Sequence, residues 1–276
     1  KKEFFINCDF LKFDPKEIGP TDVQKNNGVI DYVAEDEKDA TNIAKKILSY
    51  FQGEIKDWKA DDQKKLSNIM PKDRRWSYPV REIIKIISDI GEFTEIRPEY
   101  GKGIVSCFIR IEGKPFGLLA NDSQHLGGAI DSEGADKASS FIEMCSEYRL
   151  PIISLVDTPG FMVGPDSEKE GAVRRMSNLF KIGSKVKVPL TAIFLRKGYG
   201  LGAQAMVGGS LHEPVYTAAW PTGEFGAMGL EGAVKLGFKK ELEKIEDNSE
   251  REELFNSLVE KLYDKGKAIE SAAHLE

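Results

Sequence analysis

An α/β domain with largely parallel strand pairing is the fold class this sequence predicts. Three observations carry it. Short apolar runs sized for buried strands recur at 104–111, 116–121, 152–156 and 190–195. Segments with helical periodicity lie between most of them, and glycine- or proline-containing loops mark the junctions.

The elements follow in order. Residues 38–51 place Ala40, Ile43, Ala44, Ile47, Leu48 and Phe51 on one face, the pattern of an amphipathic helix. The polar stretch 57–79 has no periodicity and is expected to be a linker or surface arm. From about Val80, Ile83, Ile84, Ile87 and Ile90 share a helix face, with Gly91 as the expected stop. IVSCFIRI (104–111) and FGLLAN (116–121) are predicted strands joined by the turn EGKP. Asp131 or Ser132 should cap a helix whose apolar face is Ala135, Ala138, Phe141, Ile142 and Cys145. The strand IISLV (152–156) leads into the loop DTPGFMVG, and a helix follows around Ala172, Val173, Met176, Leu179 and Phe180. The strand LTAIFL (190–195) runs into the glycine loop RKGYGLGAQAM, then a small-residue helix, the short strand VYTAAW (215–220) and a helix near Gly229–Leu236. Lysine-rich acidic helical sequence closes the chain from about 239.

Composition narrows the function class. At 276 residues the chain can bury a sizeable core, and 41% hydrophobic with 30% charged residues is ordinary for a globular protein. A net charge of −6 without a basic cluster gives no support to nucleic-acid binding. Cys8, Cys107 and Cys145 are far apart and odd in number, which suits a reducing cytoplasm and argues against a disulfide framework or zinc site. No signal peptide or long apolar run is present, so membrane spanning is not expected. The chain begins at Lys1 rather than methionine, so a piece of a longer protein is expected.

Side chains dedicated to chemistry are scarce. There is no GxxxxGK[ST], HExxH, GxSxG or EF-hand loop, and His125, His212 and His274 are isolated from one another. Gly198, Gly200 and Ala203 fit the dinucleotide fingerprint G-x-G-x-x-G/A. A dinucleotide-binding oxidoreductase would also need an acid at the end of the next strand. VYTAAW ends instead in Trp220-Pro221-Thr222, which disfavours that alternative. Small residues that let a helix pack closely on a strand are the plain structural explanation. The functional one is that helix N-terminal amides, free of side chains, point at a developing negative charge. DTPGFMVG reads either as a second loop of this kind, since Pro159-Gly160 forces a turn and the Gly160 and Phe161 amides cannot both serve the preceding strand, or as an ordinary turn after a buried strand.

Taken together, six collinear segments resemble the β-type carboxyltransferase of biotin-dependent acyl-CoA carboxylases, the propionyl-, acetyl- and long-chain acyl-CoA carboxylase family. They are YPVREII (78–84), GEFTEIRPEYGKGIV (91–105), FGLLANDSQHLGGAIDSEGADKASSFIEMC (116–145), LVDTPGFMVG (155–164), RKGYGLGAQAM (196–206) and AWPTGEFGAMGLEGAV (219–234). GPTDVQKNNGVIDYVAEDE (19–37) is similar to the end of the family's N-terminal domain, with Gln24 where the family usually has histidine. The resemblance implies residues 1–52 as the tail of that domain, 53–77 as linker or arm, and 78–276 as the C-terminal carboxyltransferase domain.

The resemblance also implies a crotonase-like (ClpP/crotonase) fold, a spiral of ββα units, and a reaction. Carboxybiotin on a carrier domain delivers CO2 to the α-carbon of an acyl-CoA, with no metal in this domain. Backbone amides stabilise the oxyanions, and the C-terminal pair falls on Leu201 and Gly202, or on Gly202 and Ala203 with a one-residue slip. Gln204 falls where the family lines the acyl pocket, where propionyl-type relatives often carry Asp. Gly200, Gly160 and Phe161 join the substrate surface. Arg174, Arg175, Arg196 and Lys197 are expected either to support CoA or interface charge or to be solvated cations. Implied partners are the N-terminal carboxyltransferase domain, biotin carboxylase, the biotin carrier and further copies of the chain. A biotin-dependent acyl-CoA decarboxylase of the same fold is the alternative. Without its N-terminal half the chain is expected to be inactive.

Overall fold

The computed structural model describes residues 17–273. Cys8 and His274 lie outside the described residues. Eleven α-helices and seven strands are formed among the described residues. The N-terminal part carries α1 (Thr21–Asn26) and α2 (Glu37–Ser49); after an arm with a 3-10 turn at Gln63–Asn68 comes α3 (Val80–Ile87). The sheet strands are β1 (Phe93–Ile96), β2 (Ile104–Ile111), β3 (Lys114–Asn121), β4 (Ile152–Thr158), β5 (Leu190–Tyr199), β6 (Tyr216–Ala219) and β7 (Glu224–Gly226). Between β3 and β4 lies α4 (Ser132–Glu147), and between β4 and β5 lie α5 (Pro165–Lys169) and α6 (Ala172–Gly183). α7 (Gly200–Met206) follows β5 without a break; α8 (Leu230–Gly237), α9 (Lys239–Glu243), α10 (Asn248–Gly266) and α11 (Ala268–Ala273) end the described chain.

One mixed sheet runs in the order β1-β2-β3-β4-β5-β6, with β7 also on β5. The first three strands are an antiparallel meander. Everything from β3 onward pairs in parallel, because each return passes through helix or long loop. The β2–β3 turn is two residues, Glu112 (φ 50) and Gly113 (φ 77), and both their amides donate to buried Asp89, at 3.0 and 2.7 Å.

Side chains alternate across the sheet as the pleat demands. Ile104, Phe108, Leu119, Ile152, Val156, Leu190, Ala192 and Phe194 face α4 and α6. Val105, Cys107, Ile109, Leu118, Ala120, Ile153, Leu155 and Leu195 face α3 and the arm. Asp131 caps α4 by accepting from the Gly134 amide at 2.7 Å, one of the two residues expected there. Arg110, buried within the sheet, donates to Ser49 O at 2.6 Å and to Glu92 at 2.8 Å and lies over the Tyr50 ring, which fixes the end of α2 to the core.

Three differences from sequence expectation have physical reasons. α3 stops at Ser88, not Gly91, because Ser88 is extended and the next amide, Asp89, donates to Arg110 O of β2 at 2.7 Å instead of continuing the helix. β5 continues through Arg196–Tyr199, expected to be loop, because β7 supplies a ladder to Lys197, Gly198 and Tyr199. The arm is not simply solvated: Leu66, Ile69 and Met70 pack on the α3 face.

Gly117 of β3 approaches α4 closely in the main core, where an added methyl would collide with Cys145 Sγ and crowd Phe141. Gly117→Ala should therefore cost about 1–3 kcal/mol in denaturant unfolding, the usual range for overpacking. Adding Cys145→Ala should recover part of that loss.

Candidate active site

The site forms at the C-terminal ends of β4 and β5, the edge where open parallel sheets bind ligands. Its floor is an ion pair. Asp157 is fully buried and Arg196 is 3% exposed. Arg196 Nη2 donates to Asp157 Oδ2 at 2.9 Å and Nε to Oδ1 at 3.3 Å, and Oδ1 also accepts the Lys197 amide at 3.0 Å. Arg196 is turned inward by a register irregularity: the ladder runs from Val156↔Phe194 to Thr158↔Gly198, so β5 spends four residues where β4 spends two. The remaining guanidinium nitrogen, Nη1, donates to the arm carbonyls of Arg74 and Trp76 at 2.7 and 2.6 Å, and the plane lies over the Tyr78 ring. Arg196 is thus a buried structural cation, which corrects the expectation that it supports CoA, interface charge or solvent.

Lys197 leaves the sheet in the other direction and donates from Nζ to Gly127 O at 2.6 Å; burial lowers its pKa. It thereby tethers the 126–128 loop, where Leu126, Gly127 and Gly128 are all left-handed. Gly128 lies directly on the Asp157 carbonyl, with no room for a side chain. Arg175 pairs with Asp136 at 3.0 Å between α6 and α4, both side chains open to solvent.

Above this floor the two glycine loops meet. Gly160 (φ 124) turns the chain after β4, and its amide donates to Thr158 Oγ1 at 3.1 Å. Gly160 O accepts from Ile130, and Met162 N donates to Ile130 O, which leaves the Phe161 amide between them without an acceptor among the described residues. Gly202 is buried against this turn: a Cβ there would stand 2.7 Å from Gly160 Cα and 3.1 Å from Phe161 N. Gly200 (φ 58) makes the strand-to-helix corner, where a Cβ would strike Ala227 O.

α7 starts at that corner with no side-chain cap from Tyr199. The first amides of a helix, here Gly200, Leu201 and Gly202, have no intrahelical acceptor. Leu201 is 62% exposed, Ala203 is buried and Gln204 is half-buried. Six of the seven predicted site residues, Gly160, Phe161, Gly200, Leu201, Gly202 and Ala203, therefore share one place in the fold; Gln204 is one residue further along α7. Residues the sequence did not single out are Asp157, which organises the floor, and Glu224 of β7. Glu224 is buried with its pKa raised by burial and neither carboxylate oxygen hydrogen-bonded. Asp157 had a legible signal, an acid closing a buried apolar strand; Glu224 had none, since β7 is three residues long. Among the described residues no group of histidine, cysteine and carboxylate is arranged to hold a metal ion, and no helix is long and apolar enough to cross a membrane.

Comparison with known proteins gives one family. The carboxyl transferase domain model matches residues 14–274. A solved single-chain, multi-domain long-chain acyl-CoA carboxylase superposes with a TM-score of 0.88 at 50% identity, over 95% of this chain and 26% of that one. A transcarboxylase 12S structure, described as a hexamer with methylmalonyl-CoA and methylmalonic acid bound, gives a TM-score of 0.82 at 29% identity, over 96% of this chain and 52% of that one. The methylmalonyl-CoA decarboxylase α subunit of Propionigenium modestum is 30% identical over 80% of this chain and 44% of its own length. The chain thus spans about half the length of the curated relatives it matches.

Removing one partner of a buried ion pair strands the other. Asp157→Ala should lower unfolding free energy by about 3–5 kcal/mol. Arg175→Ala, which breaks a pair open to solvent, should cost about 1 kcal/mol or less. Chemical denaturation of the two variants beside the parent chain checks the contrast.

Proposed function

The chain belongs to the carboxyl transferase domain family, and we propose that it is the C-terminal half of the carboxyltransferase of a biotin-dependent acyl-CoA carboxylase. The observation that carries this reading is the seating of Gly202 on the Gly160–Phe161 turn. It brings two loops with unspent amides to one edge of the sheet and leaves no room there for any side chain but hydrogen.

The chemistry follows from what those amides can do. Removing a proton from the α-carbon of an acyl-CoA places negative charge on the thioester oxygen, and fixed N–H donors stabilise that charge without reorganising. We assign the donor pair to Leu201 and Gly202. Their amides belong to the helix positions without intrahelical acceptors, whereas Ala203 is the first position deep enough to have one. Unpaired amides at an exposed loop edge fit a carbonyl or ureido oxygen, so the residues present suit carboxybiotin brought by a carrier domain. That group supplies activated CO2. This chain's part is to hold oxygen atoms in place and keep water away from them.

We take Gln204, half-buried one turn into α7, as the residue that touches the acyl group. We take the fold to be crotonase-like, residues 1–52 as the tail of the N-terminal carboxyltransferase domain, 53–77 as the arm and 78–276 as the C-terminal domain. The N-terminal domain, biotin carboxylase, the biotin carrier and further copies of the chain are the proposed partners; a relative that forms a hexamer supports the last. Cys107 and Cys145 are buried free thiols, which suits the reducing cytoplasm. Similarity to a methylmalonyl-CoA decarboxylase subunit favours one second reading, decarboxylation on the same amides. ATP-dependent fixation of labelled bicarbonate into acyl-CoA by the complete enzyme distinguishes the two.

Leu201 offers the cleanest test of the amide role, because its side chain is exposed and its amide, in the first helical turn, takes no intrahelical bond that proline would break. Leu201→Ala in the complete enzyme should leave kcat within a few-fold. Leu201→Pro removes one donor and should lower kcat by about 10² to 10³, or roughly 2.7–4 kcal/mol, with thermal stability retained. Normal turnover in a folded Leu201→Pro enzyme would return these glycines to close packing alone. Gln204→Ile should change the ratio of kcat/KM between acetyl- and butyryl-CoA by about tenfold or more, since one methylene is worth about 1–3 kcal/mol.

A further inference from the structure

The arm before α3 crosses the outside of the site, and two guanidinium groups bind it there in opposite senses. Arg196 reaches outward from β5 to the carbonyls of Arg74 and Trp76. Arg74 reaches back from the arm: Nη2 lies 3.2 Å from Glu231 of α8, Nη1 lies 3.8 Å from Glu224 of β7, and the group stacks on the Tyr263 ring of α10. Glu224 is 1% exposed and has no hydrogen bond to either carboxylate oxygen. The other guanidinium nearby, Arg196, is spent on Asp157 and the arm carbonyls. Among the described residues, Arg74 is the one cation within 4.0 Å of the Glu224 carboxylate. Glu224 is paired with Lys197 in the β5–β7 ladder, and Tyr199, two residues on, turns a buried, unpartnered hydroxyl toward it. The next residue is Gly200, where the amide turn begins.

We propose that Arg74 is a positioning residue for the Tyr199–Gly202 turn: it clamps the arm across the ends of β5 and β7 through Glu224 and Glu231, and so sets how the turn seats on Gly160. The proposal rests on the reading of that turn as the oxyanion site. Arg74 touches neither reacting group. Its loss leaves buried Glu224 without an ion-pair partner among the described residues, and the Arg74–Trp76 end of the arm, joined to the sheet then only by Arg196 through its carbonyls, no longer fixes the strand that carries the amides. Small displacements of groups that act in the transition state lower kcat rather than raise KM.

The test compares Arg74→Met, Arg74→Lys and Arg75→Met in the complete enzyme; Arg75 is an exposed arm residue whose side-chain hydrogen bonds and ion pair among the described residues are to Asp73. Arg74→Met should lower kcat by about tenfold to a hundredfold with KM for acyl-CoA within about twofold. Amide hydrogen exchange over 199–206 should quicken by about fivefold or more, while exchange in α4 stays unchanged. Arg74→Lys keeps the charge but not the two-pronged reach to Glu224 and Glu231, and should recover part of both effects. Arg75→Met should change neither. A folded Arg74→Met enzyme with parental kcat and parental exchange at 199–206 would overturn the clamp, and so would exchange that quickens equally in α4, the mark of general destabilisation. If the parent enzyme transfers no carboxyl group, the functional reading falls instead, while the exchange comparison still decides the clamp.

Discussion

The Asp157–Arg196 pair is the interaction on which the rest of the site depends. One carboxylate at the end of β4 takes two guanidinium nitrogens and the Lys197 amide. That fixes the ends of two parallel strands relative to each other, and each strand end begins one of the two glycine loops. Burying two charges is costly, and a hydrophobic pair of similar volume often serves stability as well or better. What an apolar pair cannot do is direct donors in three directions at once. Here the guanidinium holds β4, the arm carbonyls and the face of Tyr78 together. Its geometry, more than its net energy, accounts for a charged residue in the middle of a packed sheet.

Most of the framework was legible in the sequence because it rests on local periodicity. β2 runs over the eight residues 104–111 expected of it, and Asp131 takes the cap position. What was not legible depends on pairing between distant segments. β7 is three residues long and exists through its ladder with Lys197–Tyr199, so the same pairing that creates it turns the expected loop Arg196–Tyr199 into strand. The arm has no periodicity because its order comes from single apolar contacts at Leu66, Ile69 and Met70 and from Arg196, not from a repeating face.

The candidate site shows the same division. Glycine and proline spacing marked both loops, and the fold brings them within contact of each other. The charged residues were misjudged at Arg196, since a cation beside a glycine loop looks like a ligand contact until its partner, 39 residues earlier, is known. Sequence also could not separate a backbone donor site from close packing of small residues. Under the proposed role both demands fall on one atom at Gly202, because the hydrogen that lets the helix touch Gly160 would also keep the amide edge clear.

That coincidence bears on the proposed amide role of Leu201, the one large side chain in the glycine turn. Two adjacent helix residues project about 100° apart around the axis, so only one of Leu201 and Gly202 can face the Gly160 turn. Gly202 is the buried one, and glycine is required there by contact at 2.7 Å. Leu201 projects away, 62% exposed, where its side chain collides with nothing and its N–H is as good a donor as glycine's. The constraint on this turn is therefore one-sided. The proposed chemistry asks only for two adjacent amides, packing asks for one missing side chain, and the exposed position is free to carry an apolar surface.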